Sequence, residues 1–128
     1  MKKIVIIDDD ADLRLTMKTI LSSKYEVREA GSAKEGMSLV RSYAPDVVLL
    51  DVMMESETAG FELARDIKQD KRNKKVKIMM ITSIDRKEHL DFKSEAGDAA
   101  WLPVDDYVVK PIDPQTLLSK VEKLAPSH

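Results

Sequence analysis

KIVIIDD, at residues 3–9, is a short apolar run that ends on two aspartates, Asp8 and Asp9. The same arrangement, an apolar run followed by a reactive side chain, recurs at residues 47–51, 78–82 and 107–110. Short, continuous Val/Ile/Leu runs are typical of strands that are buried on both faces of a parallel sheet. Because parallel strands point the same way, their carboxyl ends share one edge, and these polar side chains should meet there.

Helix-like patterns separate these runs, so that strand and helix alternate along the chain. We predict strands over about residues 3–7, 25–30, 47–50, 77–82 and 106–109. Apolar residues between them repeat at helical spacing, as at Leu13, Met17, Ile20 and Leu21. Right-handed crossovers leave few topologies for such a chain. The pattern favours a flavodoxin-like α/β fold, a doubly wound five-stranded parallel sheet of order 2-1-3-4-5 with five helices and the second and fifth strands at its edges.

Short polar motifs indicate where the helices begin. Residues 32–35 (Ser-Ala-Lys-Glu) have the pattern of a capping box for the second helix. Gly60 precedes the third predicted helix, and Asp85 could cap the fourth. Asp113 and Pro114 form a cap and first-turn pair for the last helix.

Composition limits the class of protein. With 128 residues, the chain fits one domain spanning 1–128. A net charge of −2 gives no sign of a surface for nucleic acid, and the lack of cysteine excludes thiolate metal sites and cysteine nucleophiles. No apolar stretch approaches membrane-spanning length, and we expect no signal peptide, because only four apolar residues stand between Lys3 and Asp8. We therefore expect a cytoplasmic protein that contacts neither nucleic acid nor membrane.

The polar strand ends suggest a site for a cation and a phosphoryl group. Three carboxylates in one pocket, from Asp8, Asp9 and Asp51, are unfavourable unless they are protonated or bound to a cation. Oxygen ligands of this kind suit Mg²⁺, and no organic cofactor is indicated. Lys110 would add a positive charge, and the Thr82 hydroxyl could hydrogen-bond a phosphate oxygen. Phosphoryl transfer needs little beyond such positioning and charge stabilisation.

A structural role must be weighed for each aspartate alone. An aspartate after a strand is often a turn residue or a helix N-cap, and Asp10 and Asp12 are better explained that way. A lone Lys-Pro or Thr-Ser pair carries almost no information. The functional interpretation depends on the ordered set, in which an acid pair, an acid, Thr-Ser and Lys-Pro follow successive strands.

That ordered set resembles the receiver domain of bacterial two-component response regulators, in particular the stand-alone, chemotaxis-regulator type. The matching motifs lie at residues 6–9 (Ile-Ile-Asp-Asp), 48–54 (Val-Leu-Leu-Asp-Val-Met-Met), 81–83 (Ile-Thr-Ser) and 107–111 (Tyr-Val-Val-Lys-Pro). The resemblance implies that Asp51 is the phosphoacceptor. It also implies that Asp8 and Asp9 bind Mg²⁺ together with Asp51 and the backbone carbonyl of Met53.

The resemblance assigns roles to the last two strands as well. Thr82 would be the switch hydroxyl that moves towards the phosphoryl group, and Tyr107 the switch aromatic that follows it. Lys110 would contact a phosphoryl oxygen, with a cis bond to Pro111. An ordinary edge-strand aromatic is the alternative for Tyr107.

The function implied is two-component signal transduction. The domain would accept a phosphoryl group on Asp51 from a sensor histidine kinase or a phosphotransfer protein and would catalyse only its own phosphorylation and dephosphorylation. Phosphorylation would then switch a surface for an unknown downstream protein, in a monomer or a phosphorylation-dependent dimer. We expect no effector domain after the last helix. The alternative is a protein-binding module on the same fold that is not phosphorylated.

Two enzymatic or redox classes fit less well. A haloacid-dehalogenase-type phosphatase needs Thr or Val four residues after its nucleophile, whereas Asp12 stands four after Asp8. A flavodoxin-type electron carrier needs a phosphate-binding loop after the first strand, and the acidic run at 8–12 would repel the phosphate.

The segment from Glu95 to Asp105 is longer than its counterpart in compact members of the family, since Lys110 follows Thr82 by 28 positions. It contains Trp101, the only tryptophan of the chain. This segment either forms a partner site or packs against the helix that precedes it.

Overall fold

The computed structural model describes residues 1–51, 59–70, 75–83 and 104–126. It contains five strands, β1 (Lys3–Ile7), β2 (Glu26–Ala30), β3 (Val47–Asp51), β4 (Lys77–Ser83) and β5 (Asp106–Lys110). Four helices lie in the described ranges, α1 (Ala11–Leu21), α2 (Ala33–Tyr43), α3 (Ala59–Gln69) and α4 (Pro114–Leu124). The helix predicted after Asp85 lies outside the described residues. Within those ranges, no helix is long and apolar enough to cross a membrane.

All strands are parallel and follow the order β2-β1-β3-β4-β5, which confirms the predicted flavodoxin-like α/β topology. The edge strands are β2 and β5, as expected from their more polar sequences. Both are partly exposed, whereas every residue of β3 is buried. Central strands meet helices on both faces, and this is why their sequences are continuously apolar.

The core consists of two layers, one on each face of the sheet. Because side chains alternate along a strand, Val5 and Ile7 of β1 pack with α2 and α3, whereas Ile4 and Ile6 pack with α1 and α4. All four side chains are fully buried. Full burial of one such side chain contributes about 1.5–3 kcal/mol, so the two layers supply the main stabilisation of the sheet.

The helices begin where the capping motifs predict. Asp10 caps α1, and its side chain accepts hydrogen bonds from two backbone N–H groups of the first turn. Ser32 caps α2, and Asp113 caps α4 immediately before Pro114. These caps satisfy donors that would otherwise have no partner at a helix start.

Several element boundaries differ from the sequence-based expectation by one residue. The strand β2 begins at Glu26 because the backbone N–H of Tyr25 donates to the carbonyl of Leu21 and so closes the end of α1. Gly60 does not precede α3 but lies buried in its first turn, since that helix begins at Ala59.

Candidate functional site

Three carboxylates meet at the carboxyl edge of the sheet. Oxygens of Asp8, Asp9 and Asp51 lie within 4.8 Å of one another. Parallel pairing explains this, because Ile7 of β1 is in register with Leu50 of β3, and an aspartate follows each of them. Asp8 and Asp51 are buried, with 0% and 5% exposure, whereas Asp9 is exposed. The pocket therefore has two buried acids and one acid that faces solvent.

Lys110 brings the positive charge that the sequence predicts. Its Nζ lies 3.7 Å from Oδ2 of Asp51, so β5 reaches across β4 to the acid of β3. The following bond to Pro111 is cis, as the sequence resemblance implied. Thr82 is buried in β4 beside Val109, at the same edge of the sheet. The structure thus collects Asp8, Asp9, Asp51 and Lys110 in one place and puts Thr82 on the adjoining strand.

Three hydrogen bonds hold Asp8 in place. Its backbone N–H donates to the carbonyl of Ala30 over 3.1 Å, and its Oδ1 accepts from the backbone N–H of Asp10 over 2.9 Å. Its own carbonyl accepts from Nη1 of Arg14 over 2.6 Å. The second carboxylate oxygen, Oδ2, is buried and has no hydrogen-bond partner in the described part of the chain. A buried charged oxygen in that position is costly unless a proton or a cation balances it.

The pKa of Asp8 reflects the same cost of burying a charged carboxylate. Burial raises the pKa of Asp8 to about 7, and the charge of Asp51 adds to the rise. The backbone N–H of Asp10 and the ammonium of Lys110 act in the opposite direction. At neutral pH the pocket therefore holds excess negative charge that a cation would relieve.

The donor set fits Mg²⁺. Asp8, Asp9 and Asp51 offer oxygens only, and Mg²⁺ is bound by a few carboxylates while it keeps several waters. The unpartnered Oδ2 of Asp8 supplies a buried ligand atom that no described protein group satisfies. The resemblance implies the carbonyl of Met53 as a fourth ligand. Met53 lies outside the described residues, so this role stays a prediction.

Tyr107 is partly buried in β5, and a lysine of α4 holds it from two sides. The Nζ of Lys120 donates to the carbonyl of Tyr107 over 2.6 Å and lies 4.8 Å from the centre of its ring. Asp106 is 3.5 Å from the same ammonium. Tyr107 therefore links β5 to α4. Movement of its ring with Thr82 stays a prediction.

Sequence reasoning missed Arg14 and Lys120, two cations of the described ranges that donate to backbone carbonyls of predicted site residues. Both lie on helices, at positions that read as ordinary solvated charges in the sequence. Arginine at that place in α1 acquires its partners only once β1 and β2 pair, because its second contact is Glu29 of β2. The available signal was weak, an arginine four residues after the N-cap.

Comparison with known proteins identifies relatives along nearly the whole chain. A family model described as the response regulator receiver domain matches residues 4–122. The chain is 31% identical over 122 residues to the phosphate regulon transcriptional regulatory protein PhoB of Pseudomonas aeruginosa, covering 94% of this chain and 50% of that protein. It is 27% identical over 122 residues to Protein PilH of the same organism, covering 94% of this chain and 95% of that protein.

Solved structures agree with the sequence relatives. The chemotaxis response regulator CheY4 of Vibrio cholerae superimposes with a TM-score of 0.82 at 27% identity, covering 97% of this chain and 98% of that one. The chain spans about half the length of the first curated relatives that it matches. The part they share is thus the part that contains the acid pocket.

Proposed function

Because this chain belongs to the family of response regulator receiver domains, we propose that it accepts a phosphoryl group on Asp51 in two-component signal transduction. The donor is the phosphohistidine of a sensor kinase or of a phosphotransfer protein. One observation carries the proposal: the buried Asp51 lies between the acids Asp8 and Asp9 and the ammonium of Lys110.

The transfer forms one bond and breaks another. A carboxylate oxygen of Asp51 attacks phosphorus, a P–O bond forms, and the P–N bond to the donor histidine breaks. The histidine nitrogen keeps the electron pair of that bond and takes up a proton. Lys110 offers its ammonium to a phosphoryl oxygen, and Thr82 has a hydroxyl at the same edge of the sheet. Positioning and charge stabilisation of this kind account for most of the catalysis of phosphoryl transfer.

Charge balance is the reason for including Mg²⁺ in the proposal. With all three carboxylates ionised, Asp8, Asp9 and Asp51 would carry three negative charges against the single positive charge of Lys110. Bound Mg²⁺ would bring the pocket to neutrality and lower its repulsion of an anionic phosphoryl group. We therefore propose that the reaction requires Mg²⁺ and that the domain catalyses only its own phosphorylation and dephosphorylation.

The output is proposed to be a change of protein partner. Phosphorylation would shift the population between two arrangements of Thr82 and Tyr107, on the side of the sheet where β5 meets α4. PhoB, a relative about twice as long as the matched stretch, is named a transcriptional regulatory protein. Absence of nucleic-acid contact is therefore only a prediction for the protein that carries this domain. Location in the cytoplasm and the change between monomer and dimer also remain predictions.

A receiver fold that binds a partner without phosphorylation is the competing proposal. The charged pocket favours phosphorylation, because a module without this chemistry has no use for a buried carboxylate oxygen that none of the described residues satisfies.

Intact-mass spectrometry after incubation with acetyl phosphate tests the proposal. The wild type should gain one phosphoryl group in the presence of Mg²⁺ and none in excess EDTA. Asp51→Asn should gain none under either condition. Asp12→Asn is the matched control, since it removes an exposed acid in the first turn of α1 and should behave as the wild type. Wild type without an adduct, with acetyl phosphate and with a phosphorylated kinase, would favour the binding module.

A further inference from the structure

Arg14 of α1 joins the acid loop to the neighbouring edge strand. Its Nη1 donates to the carbonyl of Asp8 over 2.6 Å, and its Nε donates to Oε1 of Glu29 over 2.9 Å. The Arg14 side chain is 19% exposed, and Lys18 approaches the second carboxylate oxygen of Glu29 at 3.7 Å. One planar guanidinium thus spans from the end of β1 to the end of β2.

The surroundings of this guanidinium are shaped to hold it. Gly31, directly after β2, leaves the space that the group occupies, because a Cβ there would lie 3.2 Å from Nη1 of Arg14. Only arginine offers several donors in a rigid plane, whereas lysine offers one compact ammonium. A lysine at this position could reach the carbonyl of Asp8 or the carboxylate of Glu29, but its single ammonium would not reproduce both contacts.

We propose that Arg14 is a positioning residue for the Mg²⁺ site. By holding the Asp8 carbonyl, it fixes the backbone from which the ligands Asp8 and Asp9 project, and it does so without touching the cation. The inference rests on the proposed function, in which this acid pocket binds Mg²⁺. Partners that orient metal ligands in this way change metal affinity by about 10–100-fold when they are removed.

A charge effect of Arg14 and a positioning effect of Arg14 would change the Mg²⁺ affinity of the pocket in opposite directions when the side chain is removed. If Arg14 acted only through its positive charge, its removal would strengthen the binding of Mg²⁺ to the pocket. If Arg14 acts by holding the Asp8 carbonyl, its removal weakens binding despite the gain in negative charge. Arg14→Lys separates the two further, since it keeps the charge and loses the planar contact.

The measurement is direct titration of the metal-free protein with Mg²⁺, followed through backbone amide signals in NMR. We expect Arg14→Gln and Arg14→Lys each to bind Mg²⁺ about tenfold more weakly than the wild type. Arg41→Gln is the matched control, because Arg41 is a helix arginine 3.5 Å from Asp70, remote from the acid pocket. That variant loses the same charge and should keep the wild-type affinity.

Thermal unfolding in EDTA accompanies each titration, because a purely structural role would lower the melting temperature and leave the Mg²⁺ affinity of the folded protein unchanged. Should Arg14→Gln fail to fold, Arg14→Lys decides the question. Equal or stronger Mg²⁺ binding by the folded Arg14 variants would overturn this inference alone. A wild type that binds no Mg²⁺ would overturn the proposed function, and the inference with it.

Discussion

At the scale of single residues, Asp8 is the costly side chain of the pocket. It is fully buried, one of its oxygens has no partner among the described residues, and two further carboxylates approach it. A protein rarely tolerates such an oxygen unless it has a use for it. On the proposed function, the pocket sacrifices stability in order to bind a cation, a compromise often found at functional sites.

Asp8→Asn should stabilise the metal-free protein at pH 8. The pKa of Asp8 is raised to about 7 in the folded state, so folding disfavours its charged form. The folded state of the wild type therefore loses stability as pH rises from about 4 to about 7, and the variant does not. We expect a gain of about 4 kcal/mol at pH 8 that vanishes near pH 4. Urea unfolding in EDTA measures it.

Excess Mg²⁺ supplies the control for this variant. The metal should stabilise the wild type more than Asp8→Asn, because the variant lacks one ligand charge and ligand binding to the folded state adds stability. Equal stability of the two proteins at pH 8 in EDTA would show that the pocket does not disfavour the charged form of Asp8.

Residues of the pocket differ in how far the sequence predicts them. Asp8, Asp9, Asp51 and Lys110 were predictable because each follows an apolar run, and parallel strands bring such ends together. Arg14 was not, since its contact with Glu29 depends on the pairing of β1 with β2 and on the face that α1 turns towards them. A local pattern contains neither piece of information.

At the scale of elements, close packing between neighbours sets the fine structure. The helical spacing of Ala33, Met37 and Val40 indicates the apolar face of α2, and the structure buries Val40 together with Gly36, which faces Ile7 of β1. A Cβ at Gly36 would lie 2.6 Å from Cδ1 of Ile7. The glycine is needed for close approach of the helix to the sheet, which hydrophobic periodicity does not reveal.

Gly36→Ala should destabilise the protein in spite of its better helix propensity. Alanine gains about 1 kcal/mol over glycine within a helix, but overpacking a core contact costs about 1–3 kcal/mol. We expect a net loss of about 1 kcal/mol in the free energy of unfolding, measured with urea. Ser38→Ala, an exposed position on the same helix, should leave stability nearly unchanged. A more stable Gly36→Ala protein would show that Ile7 moves aside easily.

Tyr25 connects two elements that are far apart in the sequence. It is buried between α1 and β2, and its hydroxyl lies 2.8 Å from Oε2 of Glu122 and 3.1 Å from the carbonyl of Ala125. Burial, and then the Glu122 carboxylate, raise the pKa of the Tyr25 hydroxyl above its usual range. These contacts join the end of α4 to the amino edge of the sheet, which is the edge opposite the acid pocket.

Tyr25→Phe should cost about 1 kcal/mol at pH 7, the usual contribution of one hydrogen bond. Because the folded pKa is raised, the stability that Tyr25 adds is complete below about pH 10 and falls as pH rises beyond it. The variant should therefore lose stability less steeply than the wild type above pH 10. Tyr43→Phe is the comparison variant for this alkaline pH profile, since the pKa of the Tyr43 hydroxyl is also raised, to about 12. Parallel alkaline profiles for wild type and Tyr25→Phe would contradict this account.

At the scale of the whole molecule, strand order explains why distant residues form one site. The order β2-β1-β3-β4-β5 places the ends of β1, β3, β4 and β5 side by side, and that order followed from the alternation of strand and helix with right-handed crossovers. The partner surface could not be derived in the same way. Trp101 and residues 95–103 lie outside the described ranges, so their role as a partner site stays a prediction.

Chemical identification of the phosphorylated side chain tests the central claim most directly. Borohydride reduces an acyl phosphate to an alcohol, so aspartyl-phosphate becomes homoserine, which peptide mass spectrometry locates in the sequence. After treatment with acetyl phosphate and Mg²⁺, we expect homoserine at position 51 and unchanged aspartate at positions 8 and 9. Homoserine at 8 or 9, or its absence from a protein that has gained phosphate, would contradict the assignment of Asp51.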